Sequence, residues 1–332
     1  MRLANLHCLR IHCYVATSAI MLALGALALG EPAWAQVSAL PSEMQSALAA
    51  AGAQWNPTVR QDFGAMRREF EALHAVAPKG GIVVTKNRVY GPDPANAVDV
   101  YRPEGIRTGL PVVVFLHGGA YVAGDKAESA NVTTWFARQG IVGVNANYRL
   151  APKGHWPDAT TDLRNIVKWT KDNVASFGGD PKKIFLVGHS AGSTHVATYV
   201  FDKSQQPPDG PGVAGAVLIS GRYRLVDATN DPNSENMQSY FGKDPAAYAA
   251  RSAITYVREG ARIPIFTVIA EFELPGFDVF GAELWAGLCE RNTACPRFTR
   301  VQKHNHGSEI FSFNTADEQL GREILDFMQR GK

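Results

Sequence analysis

Between an apolar run ending at Val187 and a helix-forming run that starts at Ala191, the chain reads Gly188-His189-Ser190-Ala191-Gly192. A serine flanked by small residues on so tight a strand-to-helix turn lifts its hydroxyl clear of the sheet, beside a helix N-terminus. The chemistry open to such a hydroxyl is attack on a carbonyl carbon. At neutral pH it is a poor nucleophile, so it needs a base to take its proton and donors to hold the charge that develops on the carbonyl oxygen. For the donors, His117-Gly118-Gly119-Ala120 follows directly on the apolar run Val112 to Leu116. The N–H groups of Gly118 and Gly119, unhindered by side chains, join that of Ala191 as the candidate oxyanion hole. His117 leads the glycines instead of ending a late strand, which suits a side chain that braces the loop.

The base is expected on the loop after the last strand, where Lys303-His304-Asn305-His306-Gly307 lies. His306 is preferred over His304 because it lies deeper in the loop and is followed by Gly307, which lets the chain turn back. The acid, which orients the imidazole and stabilises its protonated form, must follow the preceding strand, ending near Ile269. Glu271, Glu273 and Asp278 all qualify by position. Glu273 comes first, since its spacing past the strand suits a side chain turning back toward the His loop, with Leu274-Pro275 ending the turn. Phe272, Trp285 and Tyr240 are the candidate substrate-contacting residues. His195 reads as a helix-face residue, and Asp158 or Asp162 as a helix cap or a partner for Arg149.

These residues need a scaffold that brings strand ends together. From Leu40 to Val76 apolar residues recur at three- and four-residue steps, predicting two helices ahead of the sheet. Short β-rich runs at Ile82 to Tyr90 and Ala97 to Tyr101 read as an antiparallel edge joined through Gly91-Pro92-Asp93-Pro94. Strands near 112–116, 141–145, 183–187, 213–219, 265–269 and 297–301 then alternate with helices near 129–139, 158–175, 191–201, 277–289 and 316–328. Continuous apolar strands between helices indicate parallel pairing buried on both faces. The expected fold is α/β: a mostly parallel central sheet with helices on both faces and a small helical cap or lid. Residues 221–256 break the rhythm after a strand's carboxyl end and hold Tyr223, Met237, Tyr240, Phe241 and Tyr248, which makes them the candidate lid.

Composition bounds the rest. The chain has 332 residues, 45% hydrophobic and 19% charged, which describes an ordinary globular protein. Arg2 and Arg10, the apolar run Val15 to Leu29 and Pro32-Ala33-Trp34-Ala35 have the order of a secretory signal, expected to be cleaved after residue 35. The run is shorter than a membrane span, so no stable anchor is expected, and export to the periplasm or medium is. Residues 36–80 form a helical leader and 81–332 the catalytic domain. A net charge of +2, falling to +1 without Arg2, Arg10 and Glu31, gives no reason to expect nucleic acid as partner. Cys289 and Cys295 remain in an oxidising compartment, where a disulfide is expected, and their spacing is not that of a metal site.

From Val89 onward the chain resembles the hormone-sensitive-lipase-like carboxylesterases of the α/β-hydrolase superfamily, and it is similar to the arylformamidases that share their architecture. Tyr90-Gly91-Pro92-Asp93, His117-Gly118-Gly119, Asn147-Tyr148-Arg149-Leu150-Ala151-Pro152, the Ser190 turn and His304-Asn305-His306 carry the likeness. It implies a triad of Ser190, an acid at Glu273 and His306, acting on short or medium acyl or aryl esters as small-molecule substrates, with no metal or cofactor. Ala120 stands where such esterases often have a third glycine, and Glu273 and Ala270 where Asp and Gly are usual. Lys126 after the glycines resembles the arylformamidases and implies an amide substrate as the alternative, which export argues against. A non-catalytic binding protein on the same scaffold is the reading from another class, and intact triad candidates weigh against it.

Overall fold

A computed structural model describes residues 40–52, 59–105, 107–226, 231 and 233–331. The expected signal, residues 1–35, lies outside them. Two leader helices, α1 (Ser42–Gly52) and α2 (Val59–Val76), precede β1 (Ile82–Val89), β2 (Ala97–Pro103) and β3 (Leu110–Leu116). Then come α3 (Ala130–Arg138), β4 (Val142–Ala146), α4 (Asp158–Asn173), β5 (Gly179–His189), α5 (Ala191–Phe201) and β6 (Gly215–Ile219). The insertion carries α6 (Ser234–Phe241) and α7 (Tyr248–Arg251), and the chain ends with β7 (Ile265–Phe272), α8 (Phe277–Arg291), β8 (Arg297–Asn305), α9 (Ser308–Phe311) and α10 (Gln319–Arg330).

The strands form one sheet in the order β1-β2-β4-β3-β5-β6-β7-β8. β1 and β2, and β2 and β4, pair antiparallel, and every other pair is parallel. That is the α/β-hydrolase fold. Along β3 the side chains alternate between two cores, because successive Cβ atoms leave a strand on opposite faces. Val112, Val114 and Leu116 join α4, α5 and α8 on one face, and Val113 and Phe115 join α3 and α10 on the other. Burial on both faces explains the unbroken apolar runs, and the carboxyl ends of the parallel strands β3 to β8 all open to one edge of the sheet.

Several boundaries differ from expectation. β7 and β8 extend to Phe272 and Asn305, because their pairing resumes beyond an irregularity between Ala270 and Phe272 and matches Phe272 with Asn305. The last helix starts at Gln319, whose N–H is taken by Asp317 Oδ1 at 3.1 Å, so the preceding residues turn instead of coiling. Leu40, Leu48, Met66 and Phe70 of the leader form a small core against Phe311. The insertion packs inward, burying Met237, Tyr240, Phe241 and Tyr248 in the main core. Among the described residues no helix is long and apolar enough to cross a membrane. Cys289 and Cys295 are bonded to each other.

Candidate active site

The turn from β5 to α5 is tight because there is room for nothing larger. A Cβ at Gly188 would meet Gly192 O at 2.6 Å, and one at Gly192 would meet Leu116 O at 2.3 Å. Ser190 itself has φ 52° and ψ −120°, a conformation that costs a non-glycine residue about 1–3 kcal/mol. Its N–H is anchored to Ile219 O at 2.9 Å, so β6 holds the strained residue in place. The hydroxyl thereby stands at the carboxyl edge of the sheet, at the start of α5.

His306 follows β8 by one residue and meets it there. Its Nε2 lies 2.9 Å from Ser190 Oγ and its Nδ1 2.8 Å from Glu273 Oε2. With the ring proton on Nδ1, the imidazole donates to Glu273 and accepts from the serine. Glu273 is held by more than the imidazole: Ser220 Oγ donates to Oε1 in a very short hydrogen bond, and Ala270 N donates to Oε1 at 3.0 Å. Burial pushes the Glu273 carboxyl up, but His306 and these donors outweigh it and hold the group below the ordinary carboxylate value.

The other candidate acids and the other histidine are engaged elsewhere. Glu271 Oε2 accepts Lys303 N at 2.6 Å. Asp278 sits exposed in the first turn of α8 and takes Val279 N at 2.9 Å. His304 is buried between Ser308 Oγ at 3.1 Å and Asp317 Oδ2 at 3.2 Å.

Gly118 passes directly over the serine: a Cβ there would lie 2.9 Å from Ser190 Cβ. Gly119 has φ 134° and no space for a side chain, since a Cβ would fall 1.8 Å from Ala123 O. Ala120 and Tyr121 continue the turn at φ 50° and 70°. Behind the loop His117 stacks on Tyr148 at 4.7 Å, and Tyr148 Oη donates to His117 O at 2.6 Å.

Two of the three pocket candidates stand elsewhere. Tyr240 is 1% exposed, stacked on Tyr121 and accepting Ala159 N at 2.9 Å, so its ring offers no free face to a substrate. Trp285 packs on Phe298 and donates to Pro296 O at 2.8 Å. Both partners lie at the start of β8, the opposite end of that strand from His306, because α8 runs back along the sheet. Phe272 is half-buried at the end of β7, next to Glu273.

Sequence reasoning missed several residues around the imidazole. Phe277 touches the His306 ring edge-on at 4.8 Å, and Phe63 of the leader does so at 5.9 Å. A Cβ on Gly307 would lie 2.7 Å from the Phe63 ring, so the leader packs closely against the His loop. His189 Nε2 donates to His306 O at 2.8 Å, and burial pushes that ring down to about 4. Glu309, fully buried, lies 3.4 Å from the same Nε2. Burial and the neighbouring Glu273 push its carboxyl well above the ordinary value. The one available signal was spacing: Glu309 follows His306 by three residues, about one helical turn.

His189, His306 and Glu309 bring ligand-type atoms within 4.8 Å of one another. Both ring nitrogens of His306 and the donor of His189 are already committed, so the three form a hydrogen-bonded cluster. Arg149 pairs with Asp158 and Asp162, each at 2.8 Å, which makes that sequence segment a brace. Lys126 is buried against Asp99 at 2.9 Å.

A family model described as BD-FAE matches residues 98–206. Esterase LipQ of Mycobacterium tuberculosis is 28% identical over 82% of this chain and 69% of its own length. A rice protein named probable isoprenylcysteine alpha-carbonyl methylesterase ICMEL1 is 31% identical over 58% of this chain. The chain spans about half of that relative's length. Among solved structures, esterase B from Lactobacillus rhamnosis superposes with a TM-score of 0.69 at 16% identity, over 82% of this chain and 94% of that one. The hyperthermophilic esterase from Pyrobaculum calidifontis gives 0.65 at 23% identity, over 87% and 98%.

Proposed function

We propose that this chain, an α/β-hydrolase by fold, is a carboxylic ester hydrolase in which Ser190 is the nucleophile, His306 the general base and Glu273 the acid. The observation that carries the reading is the unbroken line from Ser190 Oγ through both ring nitrogens of His306 to Glu273 Oε2, at 2.9 and 2.8 Å. As Ser190 attacks the ester carbonyl, His306 Nε2 takes its proton and Glu273 stabilises the imidazolium. The charge on the carbonyl oxygen falls to the N–H groups of Gly118, Gly119 and Ala191, where preorganised donors are worth most. The imidazolium then protonates the leaving alcohol. Water repeats the sequence on the acyl-enzyme, and Ser190 is returned.

Phe63 and Phe277 against the imidazole, with Phe272 at the end of β7 beside Glu273, support short to medium acyl or aryl esters as substrates, as do relatives that bear esterase names. Replacing Ser190 by Ala abolishes turnover of a p-nitrophenyl ester and labelling by a fluorophosphonate. Full turnover in that variant dismisses the mechanism, and a wild type that fails to label favours a non-catalytic binding protein. Export is part of the same reading. It is supported by the signal-like first 35 residues and by the Cys289–Cys295 bond, which persists in oxidising compartments. A secreted form whose N-terminus is Gln36 is the expected product, and a protein retained whole in the cytoplasm contradicts it.

A further inference from the structure

Glu309 is a group the mechanism above does not use. It is 0% exposed, and among the described residues neither carboxyl oxygen has a hydrogen bond of ordinary geometry. Its carboxyl lies within 4.8 Å of a ring nitrogen of His306. We propose, resting on the catalytic reading of Ser190, His306 and Glu273, that Glu309 is a positioning residue for that array and works as an uncharged carboxylic acid. It supports the His306 loop from behind while leaving Glu273 the one anion that faces the imidazole.

The groups around it assign the charge. Glu273 faces it from the segment after β7, His304 and His306 from β8 and its loop, His189 from the end of β5, and Tyr223 from the segment after β6. None of these is a cation aimed at Glu309. His189 Nε2 has one proton, and it is directed at His306 O at 2.8 Å, with Glu309 farther off at 3.4 Å. Two carboxyls in one dry site do not both ionise, and the one with donors keeps the charge. Glu273 holds four: the His306 ring, the Ser220 hydroxyl and the N–H groups of Ala270 and Leu274. Glu309 holds none of ordinary geometry, so it keeps its proton.

Ser220 connects the two. Its hydroxyl donates to Glu273 Oε1 and also lies near the Glu309 carboxyl, without a hydrogen bond of ordinary geometry between them. Position supports the same role. Glu309 sits in α9, one turn after His306, and Phe311 of the same helix packs on Phe63, which itself touches the His306 ring.

The test is the pH dependence of kcat/KM on a p-nitrophenyl ester, with Glu309→Gln and Glu309→Leu beside the wild type. Gln is neutral and of the same shape, so the acid limb of the profile stays within about 0.3 pH unit, since no charge facing His306 changes. Leu removes the polar contacts and lowers kcat about tenfold with KM little changed, as a slightly misplaced base does. Were Glu309 an anion, removing it from within 4.8 Å of the imidazole would lower the acid-limb pKa by about two and a half units or more at an effective dielectric near 20. A downward move of one unit or more in Glu309→Gln therefore overturns the proposal, and so does a Leu variant with wild-type kcat.

Infrared spectroscopy of the wild type at pH 8, where exposed carboxyls are ionised, gives a second reading that needs no folded variant. The carbonyl band of a protonated carboxylic acid is expected, and its absence refutes the uncharged state. A wild type that shows this band but hydrolyses no ester would sink the catalytic reading instead, so the two failures are distinguishable.

Discussion

Replacing Glu273 by Gln keeps the side chain's length and leaves an amide oxygen to accept from Ser220 and Ala270, which now bond Oε1. The change falls on the other atom. Oε2, which accepts from His306 Nδ1 at 2.8 Å, becomes an NH2 group pointing at an N–H. To avoid two donors facing each other the imidazole moves its proton to Nε2, and Nε2 can then no longer take the proton of Ser190. In a serine hydrolase built this way the wrong tautomer costs about 10⁴-fold in kcat, close to 5 kcal/mol of transition-state stabilisation. The assay is steady-state hydrolysis of a p-nitrophenyl ester, with kcat and KM determined separately. Because the exchange touches no substrate-facing atom, kcat is expected to fall by about 10³ to 10⁴ while KM stays within about threefold. Glu271→Gln is the control: its carboxylate bonds Lys303 N at 2.6 Å and makes no bond to His306, so kcat stays within about threefold. A Glu273→Gln enzyme that retains more than about a tenth of kcat, or a Glu271→Gln enzyme that loses as much, refutes the assignment of the acid.

Gly118→Ala places a methyl group 2.9 Å from Ser190 Cβ and 3.3 Å from His189 O, so the glycine loop or the serine must shift. A displacement of that kind lowers kcat about 10²-fold with the thermal midpoint little altered, and activity within threefold of wild type would contradict the loop's placement. Stability should fall on mild acidification. Buried His189 and His195 take up protons near 4 and 3 when folded, against 6.5 as the ordinary value. Between those limits the unfolded chain holds more protons, so lowering the pH favours unfolding, and by pH 5 each histidine has cost about 2 kcal/mol. His195→Leu should remove about half of the loss measured by denaturant melts at pH 7 and pH 5. An unchanged difference would show that His195 is not held neutral by burial.

Where chemistry depends on neighbours in sequence, the sequence alone was legible. The glycines at 188 and 192, the apolar run before them and the helix after them describe one local turn. The alternation of apolar strands and amphipathic helices likewise announced a parallel sheet, because burial on both faces leaves its mark within each strand. The cysteine pair is six residues apart, and its bond is local too. The lining of the pocket was not legible. Trp285 and Tyr240 are aromatic and near in sequence to the right loops, but α8 carries the one to the far end of β8 and the insertion folds the other into the core.

By itself the sequence determined that a serine stands on a strand-to-helix turn, that glycines follow an earlier strand and that a histidine follows the last one. Only the tertiary structure decided which carboxylate meets that histidine. Glu271 and Glu273 are two residues apart at one strand end, and the irregular pairing of β7 with β8 beyond Ala270 sends the first to Lys303 N and the second to His306. It likewise brought Phe63 and Ser220 from distant segments to the imidazole and its acid, and left Glu309 beside them with no hydrogen bond of ordinary geometry among the described residues. Contacts between residues so far apart in the chain are set by register and packing, which local residue patterns do not encode.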